Sequence, residues 1–135
     1  MKNHPVILYV EDEARSRKVM RLIVQDMGLS HITIFEDSTD FVSRVTALMP
    51  KPDIVFLDIH MKPYSGFEML PMLRNLEQFK SIPIVAMTAS VMNEEINQLR
   101  VAGFNGCIAK PIDLDTFPDT LTRILKGESI WRVIA

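Results

Sequence analysis

The chain has one cysteine, Cys107, so no disulfide can form within it, and a reducing compartment is implied. No apolar run approaches the roughly 20 residues that a membrane-spanning helix needs. The opening MKNHPVILYV has too short an apolar stretch, and turns too early, for a secretory signal. Basic charge is not in excess: 15 Lys and Arg against 17 Asp and Glu give a formal net charge of −2, which argues against a nucleic-acid partner. No Cys or His pair has zinc-ligand spacing. These absences leave a cytoplasmic chain of 135 residues, the size of one domain, with 47% hydrophobic and 24% charged residues, ordinary proportions for a globular fold.

Two patterns alternate along it. Short β-rich apolar runs occur at 5–10 (PVILYV), 31–35 (HITIF), 53–57 (DIVFL), 82–87 (IPIVAM) and 106–109 (GCIA). Helical spacing fills the gaps. Residues 13–27 place Val19, Ile23 and Met27 on one stripe, and residues 38–49 place Phe41, Val45 and Leu48 on another behind a Ser38 cap. Residues 67–79 carry Phe67, Leu70, Leu73 and Leu76, with Pro71 expected near a late first turn. Residues 91–101 follow a cap at Ser90 and end at Gly103, and residues 114–126 run through Phe117, Leu121 and Ile124 to Gly127. Five strands alternating with five helices predict an α/β fold, a doubly wound parallel sheet with helices on both faces; a flavodoxin-like (βα)5 arrangement, strand order 2-1-3-4-5, would make strands one, three, four and five neighbours. The expected domain spans 1–126, and 127–135 form a tail whose Ile130, Trp131, Val133 and Ile134 are too apolar to stay in water. Folding back on the domain is the expectation for this tail, with an intermolecular contact as the alternative.

In such sheets the functional crevice opens at the carboxyl ends of the strands. Those ends are polar here: Glu11 and Asp12 after the first strand, Asp58 after the third, Thr88 and Ser90 after the fourth, Lys110 and Pro111 after the fifth. Each has an ordinary reading when taken alone. Glu11 and Asp12 suit a helix N-terminus, Asp58 a turn, and Lys110 a solvated surface. If strands one, three, four and five are neighbours, as in a flavodoxin-like order, they converge on one patch. Two carboxylates about 4 Å apart repel by roughly 4 kcal/mol at an effective dielectric near 20, and one lysine does not neutralise three acids. A divalent cation with oxygen ligands does, and Mg²⁺ suits such a set best. Thr88 and Lys110 could then hold the oxygens of a phosphoryl group that Asp58 accepts as a nucleophile.

These residues carry a resemblance. VEDE, FLDIHM, MTAS and AKP, in this order at successive strand ends, with Gly66 eight residues after Asp58, resemble a response-regulator receiver domain of two-component signalling, of the stand-alone, chemotaxis-regulator type. The likeness runs from residue 5 to about 126. It implies a phosphoacceptor at Asp58 and a Mg²⁺ site formed by Asp12, Asp58 and the backbone carbonyl of His60, with Glu11 acting through water or orienting the ion. It implies phosphoryl binding by Thr88 and Lys110, and a cis bond before Pro111. The implied donor is a sensor histidine kinase or histidine phosphotransfer protein. Output would run through a downstream protein, with a homodimer through the fourth helix, fifth strand and fifth helix as a further option, and with no nucleic acid or membrane. The implied role is signalling rather than enzymatic.

Two positions depart from the family pattern. Cys107 stands where the family usually places a Tyr or Phe switch, three residues before the lysine, and is too small to swing as a ring does. Lys62 separates Met61 from Pro63, adding a charge beside the acceptor, so Lys62 or His60 is expected to tune phosphoryl lifetime. Other classes fit less well. A haloacid-dehalogenase-type phosphatase needs an acid two residues after the nucleophile, where His60 stands, and an FMN carrier needs a phosphate loop where EDEARS is acidic. A constitutive, phosphorylation-independent interaction module remains as the alternative.

Overall fold

Runs of consecutive apolar residues become strands covered on both faces. In a computed structural model, which describes residues 4–89 and 92–132, the elements are β1 (Ile7–Val10), α1 (Ala14–Asp26), β2 (Ile32–Phe35), α2 (Phe41–Thr46), β3 (Ile54–Asp58), α3 (Gly66–Arg74), a 3-10 turn (Glu77–Phe79), β4 (Ile84–Thr88), α4 (Asn93–Ala102), β5 (Gly106–Ala109), α5 (Phe117–Leu125) and β6 (Ile130–Arg132). All pairings are parallel, in the order β2-β1-β3-β4-β5-β6. Every residue of β1, β3 and β4 is buried.

Strand alternation divides the core in two. Leu8, Val10, Val55, Leu57, Ile84, Ala86 and Cys107 face one side, beneath α2, α3 and α4. Ile7, Tyr9, Ile54, Phe56, Val85, Met87 and Ile108 face the other, beneath α1 and α5.

The expected five-stranded order is extended by β6, because the tail does fold back, as a strand along β5. Gly106 admits it: a Cβ there would collide with the backbone oxygen of Ile130, so the two strands approach only because this residue has no side chain. Val133, Ile134 and the expected cap Ser90 lie outside the described residues.

The remaining differences lie at helix starts and on one helix face. α3 begins at Gly66 rather than late, because Ser65 and Glu68 form a reciprocal capping box, so Pro71 falls inside the helix and the expected 67–79 segment divides into α3 and the 3-10 turn. Ser38 does not cap α2, which starts at Phe41 after Asp40 in the left-handed region (φ 49°). Its hydroxyl instead donates to the carbonyl of Tyr64 (2.9 Å) and accepts from the Tyr64 N–H (2.7 Å), tying the loop after β2 to the loop after β3. On α1 the buried residues are Ser16, Met20, Ile23 and Val24, while Val19 and Met27 are only partly buried at the margin of that face.

Candidate functional site

The sheet brings the polar strand ends together. Asp58 closes β3 and is 3% exposed, and Glu11, immediately after β1, is fully buried. Lys110, just past β5, reaches across to both: its Nζ donates to Glu11 Oε1 (3.0 Å) and Oε2 (3.2 Å) and to Asp58 Oδ2 (3.2 Å). The other Asp58 oxygen accepts from the backbone N–H of His60 (3.0 Å). Carboxylate oxygens of Glu11, Asp12 and Asp58 lie within 4.8 Å of one another, with Asp12 exposed at the rim. Three hard-oxygen acids against one ammonium form a donor set suited to a divalent cation such as Mg²⁺.

The surrounding backbone fixes this geometry. Arg17, from α1, donates to the carbonyls of Asp12 (2.7 Å) and Glu11 (3.2 Å), holding the turn after β1. Gly66 starts α3 so close to the end of β3 that a Cβ would meet Ile59 Cδ1 at 2.8 Å and the Asp58 carbonyl at 3.0 Å, which explains its place eight residues after the acid. The peptide bond before Pro111 is cis, as is that before Pro63.

The electrostatics divide the two buried acids. Burial, and then the neighbouring Asp58, push the Glu11 carboxyl up to about 7. Burial acts in the same direction on Asp58 but is outweighed by its bonds to Glu11, the His60 N–H and Lys110, so its carboxyl is held below the usual range. Burial works against the Lys110 cation, but the two acids more than compensate and raise it. In this charge state Asp58 is ionised, nucleophilic and paired with a cation, beside a second acid that resists losing its proton.

Thr88, the last residue of β4, is fully buried, and its Oγ1 donates to Glu95 Oε1 in the first turn of α4 at 2.7 Å. Cys107 is buried in β5, where burial and then the Glu95 charge push its thiol up to about 12, so it is a packed thiol and not a reactive one.

Sequence reasoning missed two participants. Tyr9 reads as an ordinary core residue of VILYV, yet its Oη donates to Glu11 Oε1 at 2.7 Å. The signal was its position two residues before Glu11, which puts both on one side of an extended chain. Glu95 is visible in the sequence only as an acid near a helix N-terminus.

The response regulator receiver domain family model matches residues 7–122. The polar-differentiation response regulator DivK of Brucella ovis is 27% identical over 119 residues, covering 88% of this chain and 94% of its own. An uncharacterised 14.6 kDa protein of Leptolyngbya boryana is 28% identical over 107 residues, 79% of each chain. Among solved structures, the chemotaxis response regulator CheY4 of Vibrio cholerae superposes with a TM-score of 0.80 at 24% identity, covering 90% of this chain and 99% of that one. The receiver domain of sensor histidine kinase PA1611 from Pseudomonas aeruginosa, solved with a magnesium ion coordinated in its active-site cleft, gives 0.79 at 22% identity, covering 92% and 99%.

Proposed function

The chain belongs to the response regulator receiver family, and from that premise we propose that Asp58 accepts a phosphoryl group from the phosphohistidine of a sensor kinase or phosphotransfer protein. Asp58 carries this reading: a buried carboxylate held ionised at a strand end, with a lysine on one oxygen and a backbone N–H on the other. Asp58 attacks phosphorus, the phosphorus–nitrogen bond of the donor breaks, and the freed imidazole keeps the electron pair.

Asp12 and Asp58, with the carbonyl of His60, are the groups that would hold Mg²⁺, and Glu11 stands behind them as the orienting acid. A bound ion supplies positive charge against the phosphoryl oxygens. Lys110 balances a second oxygen, and the Thr88 hydroxyl donates to a third once it leaves Glu95. The product is an acyl phosphate carrying about −1.5 to −2 charges where the free side chain carried one, enough to bias the surrounding loops. Output then passes to a protein partner in the cytoplasm, or to a second copy through α4, β5 and α5, and Lys62 or His60 beside the acceptor sets how long the phosphoryl persists.

Incubation with Mg²⁺ and a low-molecular-weight acyl phosphate should add one phosphoryl group by intact mass, and Asp58→Asn should abolish the gain. An Asp58→Asn variant phosphorylated to the wild-type extent would sink the assignment. A wild type that is inert to both the small donor and a phosphorylated histidine protein would favour a constitutive module.

A further inference from the structure

Helix α4 is anchored at both ends by side chains that the acceptor chemistry does not need. In its first turn, Glu95 accepts the hydrogen bond of Thr88 at 2.7 Å. In its last turn, the Arg100 guanidinium lies 4.2 Å from the ring centroid of Trp131 in β6. Trp131 is the register partner of Cys107, and its ring packs on the cluster that contains Cys107, Ile96 and Leu99. The charge of Glu95 is felt at the same Cys107. A small thiol on β5 is therefore covered by a large ring from the neighbouring strand, and one ten-residue helix touches both that ring and the hydroxyl beside the acceptor.

We propose that Glu95 is a positioning residue that holds Thr88, and that α4 passes the state of Asp58 to the tail strand β6 through Arg100 and Trp131. This rests on the reading of Asp58 as phosphoacceptor. A threonine hydroxyl has one proton to donate, so Thr88 serves either Glu95 or a phosphoryl oxygen. Both acceptors are anionic and both bonds charge-assisted, but a dianionic phosphoryl group carries more charge than the Glu95 carboxylate and is the stronger acceptor. Once Thr88 turns its hydrogen bond away, the half-buried Glu95 turns to water for a donor, and the first turn of α4 shifts outward with it. β6 is the element least able to resist that movement, being three residues long and paired on one side only. Its hold on the sheet depends on the Gly106 approach and on the Arg100–Trp131 stack.

Trp131 is the only tryptophan in the chain, so emission excited beyond the absorption of Tyr9 and Tyr64 reports β6. The test adds acetyl phosphate and Mg²⁺ and follows phosphoryl uptake by intact mass alongside tryptophan emission. The Asp58 oxygen–phosphorus bond forms as the donor's phosphorus–oxygen bond breaks and acetate leaves. Emission should move to longer wavelength in proportion to uptake. Arg100→Gln should take up as much phosphoryl as wild type but show less than half the emission step. Glu95→Ala, which removes the acceptor of the Thr88 hydroxyl, should start, before any donor is added, nearer the phosphorylated emission. Full uptake with unchanged Trp131 emission would overturn the relay and leave the acceptor standing. A wild-type emission step in both variants would also overturn it. No uptake at all would overturn the acceptor, and the relay with it.

Discussion

The residue that most constrains the site is Tyr9. Its ring packs edge-on against Phe56, with centroids 6.5 Å apart, and its hydroxyl is one of the donors on a fully buried carboxylate. Tyr9→Phe keeps the ring and removes that donor, so Glu11 must rely on Lys110 and the Glu13 N–H. Leaving a buried acceptor short of a partner costs about 1–3 kcal/mol, which urea unfolding of the variant should show. The raised Glu11 carboxyl has its own signature without a metal ion. Between its ordinary 4.5 and about 7, the folded protein holds a proton that the unfolded chain has released. Stability from this group is therefore complete at low pH and is lost as pH rises through about 7. The lowered Asp58 acts in the opposite sense, but only as pH falls below its ordinary 3.8. Unfolding in chelator should show lower stability near about pH 8 than near about pH 5, and Glu11→Gln should remove most of that difference. A wild-type slope in the variant would assign the effect to other groups. The meeting of Glu11, Asp12, Asp58 and Lys110 was legible in the sequence because acids and cations at the ends of apolar runs stand out, whereas the Thr88 hydroxyl expected with them is bonded to Glu95. Tyr9 was hidden because a tyrosine inside a strand looks like core.

At the scale of elements, strand positions and the start of α1 were readable, and the starts of α2 and α3 were not. β1, β3 and β4 announce themselves as unbroken apolar runs. The start of α3 depended on a two-residue capping exchange between Ser65 and Glu68, and this outweighed Pro71 as a locator even though a proline past the first turn forfeits one backbone hydrogen bond. Ser38 looked like a cap and was used instead to hold a loop, a choice only tertiary contact makes. β6 could not be assigned as a strand in advance: three residues carry no period, and the decisive feature is the missing side chain at Gly106, a strand away. Gly106→Val should therefore detach β6 while sparing the acid cluster. The expected readout is rapid amide exchange at residues 130–132 with protection retained in β3 and β4. Retained protection at 130–132 would mean that the approach tolerates a side chain.

For the whole molecule, the excess of buried acid over cation at one end of the sheet leaves the fold less stable than its two apolar clusters alone would make it. A ligand that binds only the folded state returns stability by mass action, about 2.7 kcal/mol at a hundredfold excess over its dissociation constant. Mg²⁺ should raise the melting temperature, chelation should reverse the gain, and Asp12→Asn should blunt it with little change in the metal-free value because Asp12 is exposed. A melting temperature indifferent to Mg²⁺ would argue that the three carboxylates hold no ion.

The glycine notch in the fifth strand also bears on how this unit can be joined to others. A chimaera cut at the end of α5 would discard the segment that shields Cys107 and would leave β5, with its notch at Gly106, as an open edge to whatever follows. Grafts that keep residues 128–132 carry their own edge protection with them.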